Sequence, residues 1–434
     1  MTTGSVPVRE RMAALDVLRG VAVCGILLMN IPLMGMLGDL GRPPLPAAPN
    51  LDWAAFTIQD VAFAGSMRGL FTLLFGAGML IMLRNVDGPD GAEAVQSYLT
   101  RCFALMLLGV ANFALFLWPG EILFNYGLVG LSLLLFRKAR PRLLMTAAAA
   151  LLVVMTLGLS LPSIDRAAAL REGPAAAAAK AEKKELTPGQ QAALKMQARA
   201  AEAMRPPPEK LEKERAQRTR YPGVLVWSAR MWSQFNLSPM ALYFSMESLA
   251  FMLIGMALFQ NGVLGGGRSI GFYAALAAGG YGLGFAVRGI FMAARWSTGF
   301  EINPEQMVWG GFLYEAGRLP TTLGLLGLVL MLFKAGALGV AATALKAIGR
   351  LALTNYVGQS IITGVIFYVF GWVGKLGFAQ LMGVAVLIWV FQAVFSLLWL
   401  RRYEMGPLEW GLRMLTYGVR YPLPKAGPAQ ASGG

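Results

Sequence analysis

Histidine is absent from all 434 residues of this chain. That absence removes imidazole bases, His–Asp dyads and histidine metal sites, so a protein base must be an Asp or Glu carboxylate. Cysteine is almost as scarce: Cys24 and Cys102 sit in or beside separate apolar runs, with neither metal-ligand spacing nor a disulfide framework around them. No phosphate-binding loop or dinucleotide fingerprint occurs, and Gly265 to Gly267 is a short turn without the required lysine. We therefore expect no metal and no bound cofactor. Charge is scarce too: 14% of residues are Asp, Glu, Lys or Arg against 56% hydrophobic, with a mean hydropathy of +0.56, far from soluble-globular averages.

What the chain does have is long apolar stretches. Ten are legible: roughly 17–37, 68–83, 102–117, 122–136, 143–161, 240–264, 270–294, 319–333, 351–373 and 378–400. A bilayer-crossing helix needs about 20 residues, and shorter runs suffice when flanking Arg and Trp reach the interface. The expectation is an all-α integral membrane protein of about ten transmembrane helices. The basic start followed by an apolar run has no small-x-small cleavage site near Asn30, so the first run reads as an uncleaved span.

The net charge of +15 would suggest nucleic acid in a soluble protein, but here Lys and Arg cluster beside apolar runs, where they orient helices and meet anionic headgroups. Membrane lipids, not nucleic acid, are the expected partners. Arg9 and Arg11 precede the first run; Arg137, Lys138, Arg140 and Arg142 follow the fourth. Later even-numbered runs end at Arg268, at Lys334, Lys346 and Arg350, and at Arg401 and Arg402. The positive-inside rule then puts both termini in the cytoplasm.

Residues 1–163 form a first five-span half and 240–405 a second, with 406–434 a cytoplasmic interfacial helix and tail. Between the halves, 164–239 forms a helical extramembrane insert and the approach to span six. Its segment 164–220 holds 13 Lys plus Arg against 8 Asp plus Glu, has no apolar stripe for a core of its own, and is punctuated by Pro206, Pro207 and Pro208. An external helical hairpin capping the bundle is the expectation. Five spans on each side also meet the parity that an inverted repeat needs.

Ionisable groups inside spans cost roughly 2.5–3.5 kcal/mol each at a helix centre, so each needs a partner or a purpose. Asp16 and Arg19 share a helical face at i, i+3, and Asn30 follows Arg19 by eleven residues, about three turns on nearly the same face. The expected topology gathers Arg68, Glu121, Asn125, Arg288, Glu315 and Arg318 on the outer side, with Glu247 inside span six and Pro320 opening span eight. Such a group serves equally as a cavity of bases and guanidinium groups or as interhelical ion pairs that fix packing. A second set, on the cytoplasmic side, is Arg350, Asn355, Gln359, Glu409 and Arg413. Asn355 and Gln359 are read first as interhelical hydrogen-bond formers, and Glu409 and Arg413 as an i, i+4 pair.

These motifs resemble the YeiB-like bacterial inner-membrane proteins, whose C-terminal region defines a domain of unknown function. The opening Arg11-Met12-Ala13-Ala14-Leu15-Asp16-Val17-Leu18-Arg19-Gly20 resembles that family's, as do Gly25 to Ile31, Leu70 to Gly78, Gly120 to Gly130, Gly349 to Tyr356 with Gln359-Ser360, and Gly406 to Trp410 with Arg413. The family is distantly similar to membrane acyltransferases that modify sugars and glycans. Those carry an Arg-Gly followed, eleven residues after the arginine, by a histidine; here Arg19 fits and Asn30 takes the histidine position. Proteins resembling heparan-glucosaminide N-acetyltransferases also tend to asparagine there. YeiB-like chains often carry a histidine upstream of the third motif, where this chain reads Ala111-Asn112-Phe113.

The resemblance implies acyl transfer from a cytoplasmic thioester such as acyl-coenzyme A to a small-molecule, glycan or lipid acceptor on the outer face. Arg19 would meet donor phosphates, Asn30 would position a reacting group, Arg68 would stabilise negative charge, and Glu121 or Glu247 would be the base. The alternative is a transporter of a small metabolite or lipid precursor using the same charges.

Overall fold

The computed structural model describes residues 8–38, 41–43, 50–84, 88, 91–301, 303–419 and 422–424. The side chains of Arg9 and Arg11, and the tail beyond 424, lie outside the described residues. Among these the chain is helical with no strand; Tyr403 and Pro424 form an isolated bridge.

Ten apolar helices correspond one to one with the ten runs: α1 (Val8–Gly35), α3 (Ser66–Met82), α4 (Gly91–Leu115), α5 (Leu123–Leu133), α6 (Pro141–Arg171), α11 (Pro239–Gln260), α12 (Ile270–Ser297), α13 (Pro304–Lys334), α15 (Ala352–Gly364) and α16 (Phe378–Arg402). Among the described residues nine segments are long and apolar enough to cross a membrane, and α5, continued by a 3-10 turn to Phe136, is a shorter tenth. Where a helix sits follows from its pattern. In α11 the residues from Ala250 to Ala257 are buried without a break, because its surface is apolar all round and packs against α3, α5 and α6. In α12 only 17% of the apolar window is buried, and its outward leucines and phenylalanines suit lipid rather than a core. Gly76 of α3 lies against the Met252 backbone and Gly255 of α11 against that of Leu73, so two small residues let these helices cross closely.

Three features correct the expectation. Helix α13 starts at Pro304, capped by the Asn303 side chain, so Pro320 lies inside it rather than at its start. Its missing N–H takes the helical donor from the Ala316 carbonyl, while the next two carbonyls, of Gly317 and Arg318, each accept from a threonine hydroxyl, Thr321 and Thr322. Helix α2 (Leu51–Ala62), capped by Asn50, precedes α3 and packs on α12 and α16. Helix α14 (Gly339–Arg350) packs along α1 and turns sharply into α15 at Leu351. The insert holds α7 (Gly173–Ala181), α8 (Pro188–Met204), α9 (Pro208–Arg218) and α10 (Gly223–Asn236), with the triple proline between α8 and α9. The interfacial helix of the tail is α17 (Pro407–Tyr417).

Candidate functional site

Helices α3, α11 and α13 bring four charges from the outer set into one buried network. Glu247 accepts from Arg68 with one oxygen and from Arg318 with the other. Arg318, fully buried, also donates to Glu315 Oε1 at 3.1 Å and to the Gly65 carbonyl at 3.2 Å, with its guanidinium 4.4 Å from the Phe251 ring. Gly65 has φ 73°, and a Cβ there would meet the Arg318 side chain, so glycine serves both the turn and the approach. One carboxylate thus bridges two cations from different helices, with Glu315 as the second negative charge, which fixes the helices' relative placement. Arg288 lies beside Gly317, and its Nη1 and the second Glu315 oxygen are buried without a partner among the described residues.

Asn125 is held nearby between α5 and α11, donating to Ser245 at 2.9 Å and accepting from Ser248 at 2.7 Å. The hydroxyl of the next residue, Tyr126, pairs with Thr72, whose own hydroxyl donates to the Arg68 carbonyl at 2.7 Å.

Glu121 belongs to a different arrangement. It precedes α5, is 5% exposed, and accepts from Trp232 Nε1 at 2.9 Å and from the Phe124 N–H at 3.0 Å. Burial pushes its carboxyl above the usual carboxylate range, against the pull of those N–H donors. Among the described residues no cation pairs with it.

Trp232 comes from the insert. In α10 the buried Val224, Ser228 and Trp232 repeat every fourth residue; Ser228 donates to the Phe113 carbonyl at 3.0 Å and Trp232 stacks on the Phe113 ring at 4.4 Å. Helix α9 is fastened by Arg218, 1% exposed, which donates to the carbonyls of Leu33, Met34 and Met36 at 3.1, 2.6 and 2.7 Å. Those carbonyls are the unpaired end of α1, so a side chain 182 residues away caps that helix. Glu214 completes the clasp, accepting from Arg218 at 2.9 Å and from the Gly38 N–H at 3.0 Å. Arg218→Leu should release the insert: three carbonyls and Glu214 lose their donor, at a cost of about 3–5 kcal/mol. Tryptic cleavage at Lys210 and Lys213 would then accelerate well beyond that of the parent protein, and unchanged cleavage would contradict the clasp.

The insert roofs a cavity of about 800 Å³ lined by Asn30, Arg68, Glu121, Asn125, Lys213, Trp227 and Arg230, among others. Asn30 is half-buried in its wall, and among the described residues its amide has no protein partner. A second cavity, of about 810 Å³, opens at the opposite end, lined by Asp16, Arg19, Tyr98, Arg101, Tyr356, Arg350 and Arg413. Arg19 is paired with Asp16 at 2.9 Å, and Arg350 donates to the Glu404 carbonyl at 2.7 Å. Glu409 of α17 accepts from the N–H groups of Leu353 and Thr354 at 2.7 and 3.0 Å, capping α15 from another helix.

The two cavities are distinct, and neighbouring residues line them on either side of a shared wall. Ile122 faces the insert-side cavity and Leu123 the other; Asn125 and Tyr126 divide the same way, as do Arg68 and Phe71. The Tyr356 hydroxyl accepts from the Ile122 N–H at 3.0 Å and ties this wall to α15. Arg19 and Asn30, expected on one face of α1, open into different cavities.

Other candidates stand apart. Asn355 donates to Ser396 at 2.9 Å and Gln359 to Gln392 at 3.1 Å, knitting α15 to α16; neither lines either of these two cavities. Glu247, Glu315, Arg318 and Arg288 lie behind the insert-side cavity, outside its lining. Sequence reasoning missed Arg218, Trp232, Arg101, Tyr126 and Tyr356. Among the described residues no group of three or more His, Cys, Asp or Glu could hold a metal ion.

Apolar helices that pair their charges internally, with cavities at opposite ends of the bundle, define a multi-pass helical membrane protein. Over nearly its whole length the chain is similar to the YeiB-like family. Residues 258–419 match the family described as protein of unknown function (DUF418). The chain is 29% identical to the uncharacterized protein YeiB of Escherichia coli, covering 97% of this chain and 98% of that one. It is 27% identical to the uncharacterized protein YxaH of Bacillus subtilis over 96% of each, and 23% identical to an uncharacterized 39.9 kDa protein in the amylase 3' region of Bacillus acidopullulyticus over 95% and 96%. No solved structure matches.

Proposed function

We propose that this chain is a membrane-embedded acyltransferase-like protein of the bacterial inner membrane, moving an acyl group from a cytoplasmic thioester to an acceptor at the insert side. The observation that carries this is the pair of separate cavities lined by neighbouring residues of α3 and α5, with Arg19 and Arg101 in one and Asn30 and Glu121 in the other. Alternating access, as in a transporter, needs one site exposed to each side in turn. Two cavities open at once suit two substrates that meet.

In the proposed reaction an acceptor hydroxyl or amine attacks the thioester carbonyl. Glu121 takes its proton, the C–O or C–N bond forms, and the C–S bond breaks to release a thiolate that is then protonated. Asn30 is placed to orient the acceptor and Arg68 to meet negative charge. Glu247, engaged by two arginines, serves packing rather than proton transfer.

The test is thermal stabilisation of the purified protein by a panel of acyl-coenzyme A donors, alongside Arg19→Ala. A saturable shift of several degrees, roughly that of a ligand at a hundred times its Kd, should vanish in the variant. No shift with any donor would reject the donor site and turn attention to gradient-driven transport.

A further inference from the structure

The charge at the mouth of the insert-side cavity is unbalanced. Its carboxylates are engaged: Glu214 by Arg218 and the Gly38 N–H, Glu121 by Trp232 and Phe124. Three of its cations are paired, Arg68 with Glu247, Arg218 with Glu214 and Lys210 with Glu202. Lys213 of α9 and Arg230 of α10 remain, both exposed, both lining the cavity, and neither in an ion pair among the described residues. Gln217 and Gln234 also line it, each one helical turn beyond one of these cations, adding neutral donors to the same two faces.

The lining also holds an apolar and aromatic part, with Met29, Leu33, Trp118, Trp227, Phe235 and Phe244. A cationic ligand would be repelled at this mouth, and a small polar anion would leave the apolar wall unfilled. An amphiphile satisfies both parts.

We infer that this cavity binds a phosphate ester with an apolar chain, its phosphate held between Lys213 and Arg230 and its chain against the aromatic wall. Phosphate offers several acceptor oxygens and up to two negative charges, matching two cations and two amide donors on facing helices. The inference names the acceptor class for the transfer proposed above and rests on that reading for the word acceptor, but binding itself can be tested without turnover.

The experiment follows thermal unfolding of the full chain in a neutral maltoside detergent with decyl phosphate, decanol or inorganic phosphate, each below any micelle-forming concentration. Decyl phosphate should stabilise saturably, and decanol and inorganic phosphate far less. The double variant Lys213→Ala, Arg230→Ala, which changes only exposed residues, should weaken decyl phosphate roughly tenfold or more while keeping any shift caused by acyl-coenzyme A. Arg19→Ala should do the reverse. Equal protection by decanol or by inorganic phosphate, or undiminished decyl phosphate binding in the double variant, would overturn the inference. Loss of the acyl-coenzyme A shift alone would count against the donor site and leave this one standing.

Discussion

Glu247→Gln should strip about 3–5 kcal/mol from the stability of the fold, the range for removing one member of a buried ion pair. The neutral amide keeps the shape of the carboxylate but not its charge, so Arg68 and the fully buried Arg318 share only the Glu315 carboxylate, on the far side of Arg318. The variant should extract from membranes as aggregate, or unfold many degrees below the parent, as followed by size-exclusion profile and tryptophan fluorescence. Adding Arg68→Met to Glu247→Gln should recover part of the loss, because it removes one uncompensated cation and leaves a side chain that can pack on Phe244, where the Arg68 guanidinium now sits 5.3 Å from the ring. Losses that simply add would mean that the two residues are not coupled through the network.

That network was half legible in the sequence, for a physical reason. A charge in an apolar run must find a counter-charge, so Arg68, Glu247, Glu315 and Arg318 were expected on one side, and the structure joins them. Asn355 and Gln359 were legible likewise, because buried amides in spans pair with other polar groups, here Ser396 and Gln392. Pro320 misled because a proline so often opens a helix; here the helix starts sixteen residues earlier, at Pro304, and runs through it.

The roof of the candidate site was not legible. Arg218 is one of 13 basic residues in 164–220, and nothing local separates a clasp from a solvated charge. Only the fold brings it to the end of α1, 182 residues earlier, and Trp232 to Glu121, 111 residues earlier. The wall between the cavities was hidden for a related reason. The adjacent residues Asn125 and Tyr126 of α5 line different cavities, a division set by the helices packed around it and not by its own apolar sequence.

Glu121→Gln separates the two roles that a buried carboxylate could have. As the base in the proposed transfer, Glu121 must be ionised, and its loss should cut turnover by about 10²–10⁴, read as thiol released from an acyl-coenzyme A donor. Donor binding at the opposite cavity should be unchanged. The fold should suffer little, because a glutamine oxygen still accepts from Trp232 and only the Phe124 N–H loses its acceptor, at about 1–3 kcal/mol. The pH dependence should run in opposite directions for activity and stability. Burial raises the folded-state carboxyl above the unfolded one, so between those two values the folded chain holds the extra proton. Stability therefore falls as pH rises through that window, while turnover rises as the base ionises. In Glu121→Gln both dependences should flatten together. A variant that keeps its turnover but loses the grip of α10, seen as faster proteolysis of the insert, would make Glu121 a fastening for Trp232 and leave the proton to a group on the acceptor.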